Sequence, residues 1–252
     1  MKPWSALRLA SKGVRPDDIT SKGERDLVTA ADIAVEDLLR THLTGRLGLP
    51  VVGEERVGEA PADGSAYWLV DPICGTRNFA SGIPLYCVIG ALVERGQVTV
   101  AVVGDQSTGE IVLAERGRGA WAVKDGALRQ LSTSDESRTI VVEDGKTKGA
   151  RREHTARLTA AVIRADRWYC RSLGSTLSAA YLAAGRIAAY VELWATDVHI
   201  AAGSLLITEA GGLLSDYEGR PWSIRSDTFV AAGSPELHLE LLALTRATAV
   251  RR

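Results

Sequence analysis

The chain has 252 residues, 46% of them hydrophobic and 24% charged, with a formal net charge of -1. This is the composition of a globular protein of one or two domains, and it offers no global basic field for nucleic acid or an anionic membrane. The three cysteines, Cys74, Cys87 and Cys170, lack CxxC spacing, which argues against a disulfide framework or structural zinc and leads us to expect a reducing cytoplasm. The first residues lack the apolar core of a signal peptide, and even the apolar stretch 177–191 is broken by Ser178, Gly185 and Arg186, so no membrane span is expected.

Residues 4–12 read as a weak helix, and 14–22 as a polar loop with its tip at 22–25. From Asp26 the pattern changes, and Asp32 to Leu39 repeats apolar residues at helical spacing, with Thr29 or Asp32 available as a cap and Gly45 or Gly48 to end the helix. Residues 50–53 form a short strand running into Glu54 and Glu55, acids that a solvated turn would also explain. The apolar run Trp68-Leu69-Val70 predicts a buried strand that stops at Asp71-Pro72, because proline lacks a ladder donor. That strand delivers a carboxylate beside Gly75 and Thr76, whose small size and donors suit an anion.

Runs at 85–93, 98–104 and 110–114, separated by glycine-bearing loops, predict an antiparallel meander, with another hairpin around Asp125-Gly126. The polar stretch 133–138 is the expected hinge between an N-terminal half, 1–132, and a C-terminal half, 133–252. Beyond it the pattern alternates: strand 139–142, charged loop 146–153, helix 154–165, helix to Gly185 opened by Ser172-Leu173-Gly174-Ser175-Thr176, and strand 188–193. Helix 196–210, strands 213–215 and 228–232 and a closing helix 235–245 follow, with a frayed Arg-rich tail. Helices on an antiparallel sheet, then an alternating half, make this an α/β protein: α+β first, α/β second. His154 and His238 sit among charged helical residues and read as surface, and His42 has no evident partner.

Acids recur at element ends: Asp32, Glu54, Asp71, Glu192 and Asp197. Scattered carboxylates gathered by a fold hold hard divalent cations such as Mg2+ and support metal-assisted hydrolysis. Gly53-Glu54-Glu55, Trp68 to Phe79, Leu193 to Gly212 with its Thr208-Glu209-Ala210-Gly211-Gly212 ending, the Asp26 to Asp32 segment with Lys22, and Arg171-Ser172-Leu173-Gly174 together resemble the inositol-monophosphatase family over nearly the whole chain. The resemblance implies a layered αβαβα sandwich, a homodimer, and a magnesium-dependent phosphatase acting on a small phosphorylated metabolite such as a sugar, cyclitol or nucleoside phosphate. It also implies that Glu54 binds the first metal and orients water, that Asp71 bridges metals, and that the Ile73 carbonyl binds the first metal. Thr76, paired with Asp32, would help activate the water; Gly75 and Thr76 would donate to phosphate; Glu192 would contact substrate hydroxyls.

Two positions depart from the family pattern. The second Asp of Asp-Pro-Ile-Asp-Gly-Thr is Cys74 here, and the Asp of the family's Trp-Asp-x-Ala falls at His199. Three explanations stay open. Asp71, Cys74 and His199 form a softer site for Zn2+ or Mn2+; or the second site is lost, leaving at least one Mg2+ or a repurposed, catalytically weak protein that only binds its ligand or runs another reaction; or Asp197 replaces the missing acid near the substrate, its alternative being a helix cap. A nucleophilic Cys74 is disfavoured, since residues 73–77 are too short for a phosphate-binding loop around a thiolate. The basic cluster at 146–152 reads as solvated surface or as a contact to a second phosphate.

Overall fold

The structure is a computed structural model that describes residues 19–23, 26–56, 58–145 and 147–250. The expected helix at 4–12, the Glu24-Arg25 tip and the last two arginines lie outside the described residues. The order begins β1 (Ile19–Gly23), β2 (Asp26–Thr29), α1 (Ala30–Leu47), β3 (Val51–Gly53), β4 (Tyr67–Cys74), α2 (Thr76–Ala80) and β5 (Cys87–Glu94). It continues β6 (Gln97–Asp105), β7 (Ile111–Glu115), β8 (Ala120–Lys124), β9 (Ala127–Gln130), β10 (Thr139–Glu143), α3 (Gly149–Arg164), β11 (Tyr169–Arg171) and α4 (Leu177–Ala183). It ends β12 (Ala189–Leu193), α5 (Asp197–Glu209), β13 (Leu213–Ser215), β14 (Thr228–Ala232) and α6 (Pro235–Thr248).

A seven-stranded sheet runs β3-β4-β5-β6-β7-β8-β9, antiparallel except for the parallel β3–β4 pair, and a five-stranded mixed sheet runs β11-β10-β12-β14-β13. α4 and α5 lie between them: Leu177, Ala180, Leu205 and Leu206 pack on the larger sheet, while Ala179, Leu182, Ile200 and Ile207 pack on the smaller. α1 covers the outer face of the first sheet through Val35, Leu39 and Leu43, and α3 and α6 cover the second through Leu158, Val162, Leu237 and Leu241. The layers are therefore αβαβα, as expected. The small residues of α5 have a visible purpose, since a Cβ on Gly203 would come within 2.6 Å of Ala179. Among the described residues no helix is long and apolar enough to cross a membrane.

Several expectations need correcting. The supposed polar loop around Lys22 holds β1, paired with Asp26–Thr29, and the helix begins at Ala30, directly after Thr29, one of the two expected cap positions. β4 does not stop at Asp71-Pro72 but runs to Cys74. Pro72 sits where the register with β5 shifts, between Asp71↔Ile89 and Cys74↔Cys87, where a missing donor costs no ladder bond. α3 starts at Gly149, inside the expected charged loop, and the three-residue edge strand β11 went unseen. His154 and His238 are buried, not surface. His154 Nε2 lies 2.7 Å from the Thr245 carbonyl oxygen, and His238 Nε2 lies 3.0 Å from Ser215 Oγ. Their charged neighbours occupy the other faces of α3 and α6. His42 Nδ1 meets the Leu38 carbonyl oxygen at 2.9 Å.

Candidate metal centre and catalytic cavity

β3 and β4 run parallel with Gly53 opposite Val70, so the next residues, Glu54 and Asp71, emerge at the same sheet end. The Glu54 amide donates to the Val70 carbonyl at 3.2 Å, fixing the turn. Asp71 is fully buried; its Oδ1 accepts from the Ile73 amide at 3.0 Å, while Oδ2 has no hydrogen-bond partner. An orphaned carboxylate oxygen in the interior is costly unless a cation faces it.

His199, in the first turn of α5, comes to that oxygen from the other half of the chain. Its Nε2 lies 3.6 Å from Asp71 Oδ2 and 3.4 Å from Glu54 Oε2. On the other side of the ring, Nδ1 lies 3.1 Å from Thr196 Oγ1. Among the described residues, Glu54, Asp71 and His199 form a group whose ligand atoms all lie within 4.8 Å of one another, the dimensions of a metal centre. Burial and the neighbouring Glu54 push the Asp71 carboxyl well above its usual range, an effect His199 only partly offsets. Burial opposes charge on His199, but Glu54, Cys74 and Asp71 outweigh it and push the imidazole up to about 10. The cluster is built around a positive charge, whether imidazolium or metal ion.

Cys74 stands outside that cluster. Its thiol donates to Thr176 Oγ1 at 3.1 Å, and the Thr176 amide donates to Sγ at 3.2 Å. A hydrogen bond with Cys87 and burial push the thiol well above its ordinary range, so it stays protonated. The Asp71–Cys74–His199 grouping is thus not the one the fold assembles: Glu54 takes the third position. Thr176 Oγ1 passes on to the His199 carbonyl oxygen at 2.9 Å, which couples the thiol's neighbour to the start of α5.

Gly75 follows with φ +95°, and an added Cβ would meet the Leu85 carbonyl oxygen at 2.8 Å, so glycine is required. The turn presents the Thr76 hydroxyl to the Ile73 carbonyl at 3.1 Å and to Asp32 Oδ1 at 3.5 Å, with Asp32 almost wholly buried. Ile73, Gly75 and Thr76 line a cavity of about 340 Å³ shared with Glu192, Trp194 and Glu143. Burial raises the Glu192 carboxyl, which accepts a hydrogen bond from Tyr190. Asp197 does not reach the cavity: it is exposed at the start of α5, and its carboxylate accepts from the Val198 amide at 2.9 Å. The cap position before α5 belongs to Thr196.

Two buried carboxylates that the sequence reading passed over hold the frame. Glu36 accepts from the Glu55 amide at 2.7 Å, the Arg56 amide at 3.0 Å and Arg40 Nε at 2.9 Å, pinning the turn that carries Glu54. Gly53 makes room for it, since a Cβ there would fall 2.2 Å from Glu36 Oε1. The available signal was Asp32, Glu36 and Arg40 at four-residue steps beside the apolar stripe of α1. Glu143, opposite Glu192 in the β10–β12 register, accepts from Ser172 Oγ at 2.7 Å, the Leu173 amide at 3.0 Å and Ser178 Oγ at 3.1 Å. It anchors the loop that carries Thr176. Only its place beside another strand-end acid marked it.

The model of the inositol monophosphatase family matches residues 5–249. An inositol-1-monophosphatase of Mesorhizobium japonicum is 34% identical over 87% of this chain and 83% of its own. The Nus factor SuhB of Pasteurella multocida is 32% identical, over 90% of this chain and 86% of that protein. The solved structure of the extragenic suppressor protein suhB from Bartonella henselae superposes with a TM-score of 0.87 at 28% identity, covering 98% of this chain and 95% of that one.

Proposed function

Because this chain belongs to the inositol monophosphatase family, a family of metal-dependent phosphoric monoester hydrolases, we propose that it hydrolyses a small phosphorylated metabolite, a sugar, cyclitol or nucleoside phosphate, at the Glu54–Asp71–His199 centre. One observation carries the reading: the orphaned Oδ2 of a fully buried Asp71 faces a second carboxylate and an imidazole at the floor of a cavity. That donor set fits a divalent cation, with the Ile73 carbonyl as a further ligand. Two carboxylates with an imidazole suit Mn2+ or Zn2+ at least as well as Mg2+. Bound there, the ion would supply Lewis-acid stabilisation of charge on phosphoryl oxygens.

The chain's own groups do the remainder. Glu54, partly exposed to the cavity, takes the proton of the attacking water. Asp32 and the Ile73 carbonyl hold the Thr76 hydroxyl, orienting its lone pairs toward that water. The backbone amides of Gly75 and Thr76 receive the phosphoryl oxygens. Glu192 grips a substrate hydroxyl. Cys74 is a packing residue in this reading, and Asp197 has no part in binding. The halves 1–132 and 133–252 act together, the first supplying Glu54, Asp71 and Thr76, the second His199 and Glu192. Homodimeric assembly belongs to the same reading, as does a cytoplasmic location, which the three free cysteines support.

The changed residues at 74 and 199, and relatives named as Nus factors, favour a second reading in which the chain binds a phosphorylated ligand without turning it over. One assay separates the two. Chelated protein, resupplied in turn with Mg2+, Mn2+ and Zn2+, is offered a panel of phosphomonoesters and phosphate release is measured. Ion-dependent release that is lost in Asp71→Asn supports hydrolysis; no release with any ion supports the second reading.

A further inference from the structure

The cavity lining is unbalanced in charge. Five carboxylates, Glu54, Asp71, Glu143, Asp144 and Glu192, face or border it, against two basic side chains, His199 and Arg77. A phosphomonoester dianion entering such a space needs positive charge to meet it beyond that of the divalent ion proposed above. His199 is committed to Glu54 and Asp71. Glu143 is committed to its loop, Asp144 lies 4.0 Å from Arg152, and Glu192 accepts from Tyr190. The Arg77 side chain, exposed at the cavity, makes no hydrogen bond or ion pair with any described residue.

The backbone around Arg77 is held on both sides. Thr76 before it is tied to Ile73 and Asp32, and Asn78 after it donates to the carbonyls of Leu85 at 2.8 Å and Leu173 at 2.7 Å. Gly75, two residues earlier, is closely packed: a Cβ there would meet the Leu85 and Gly174 carbonyl oxygens at 2.8 and 3.1 Å. Arg77 therefore combines a fixed attachment point with an unengaged guanidinium, and it sits one residue beyond the hydroxyl that faces Asp32. An arginine so placed can meet two oxygens of one phosphoryl group with its planar fork.

We propose that Arg77 is a substrate-contacting residue whose guanidinium pairs with the non-bridging phosphoryl oxygens, supplying positive charge that His199, held by Glu54 and Asp71, does not. The assignment rests on the phosphatase reading above.

The test is binding of inorganic phosphate, titrated calorimetrically into Mn2+-loaded wild type, Arg77→Lys and Arg77→Met, with phosphomonoester turnover measured alongside. A lost charge-assisted contact weakens phosphate by about tenfold or more in Arg77→Met. Arg77→Lys should fall between, and Mn2+ affinity without phosphate should stay within about threefold. Phosphate affinity of Arg77→Met within about twofold of wild type, with wild-type turnover intact, overturns the role of Arg77 and leaves the phosphatase reading standing. A wild type that neither binds phosphate nor releases it from any ester overturns both.

Discussion

Replacing Glu36 with glutamine tests whether the site is held from behind. The carboxylate is wholly buried and receives the amides of Glu55 and Arg56 together with the guanidinium of Arg40, whose side chain is 27% exposed. Glutamine keeps the volume but turns one acceptor into a donor facing another donor, and it leaves Arg40 without its counter-ion. Breaking a buried pair costs about 3–5 kcal/mol, and the partial exposure of Arg40 places this case near the lower end, about 3 kcal/mol. For a chain of this size that is a fall in Tm of roughly 6–12 °C. The turn bearing Glu54 loosens with it, and a displacement of about 1 Å at a catalytic group costs on the order of a hundredfold in rate. Urea unfolding gives the first quantity and phosphate release by the folded fraction the second. Gly53→Ala, whose Cβ would strike the same carboxylate, should reproduce both losses. A stability change below about 1 kcal/mol in Glu36→Gln, or normal activity in Gly53→Ala, would refute the reasoning.

Three other predictions concern separate parts of the molecule. Glu143→Gln should lower kcat/KM by about 10–100-fold, because the loop carrying Thr176 loses an acceptor for several donors; steady-state kinetics on folded protein checks this. Cys74→Ser should leave metal affinity within about threefold of wild type, since the thiol lies outside the ligand cluster, and a loss of tenfold or more would show that it ligates after all. His238 has its pKa lowered by burial from the ordinary 6.5, so the unfolded chain binds the extra proton first. Its contribution is therefore complete above about pH 6.5 and is lost as pH falls toward the folded value. Between pH 7.5 and 5.5, the urea midpoint of His238→Gln should fall less than that of wild type.

Much of this site was legible because its residues follow strand ends in short, uninterrupted motifs. Glu54, Asp71 and Thr76 sit where the Gly53-Glu54 and Asp71-Pro72 signals put them, although the strand runs past its proline through a shift of register that no local pattern announces. His199 was marked by the family resemblance, but its true neighbours were not. One of the three sequence readings paired it with Cys74, whereas the thiol is hydrogen-bonded with Thr176 and Glu54 completes the cluster. Glu36 and Glu143 were only faintly marked, for a common reason. A buried acid whose partners are backbone amides nineteen or more residues away looks, in sequence, like any charged residue on a helix or at a strand end. His154 and His238 failed likewise: periodicity locates a helix, but only the packing of α3 and α6 decides which polar residues that face encloses.

The central claim, a divalent ion held by Glu54, Asp71 and His199, is tested most directly by titrating the chelated protein with Co2+ and following its visible absorption. One ion per chain, with imidazole and carboxylate ligation, is the expected result, together with affinity reduced tenfold or more in both His199→Ala and Asp71→Asn. Absence of any Co2+ spectrum in wild type, or an unchanged spectrum and affinity in His199→Ala, would contradict it.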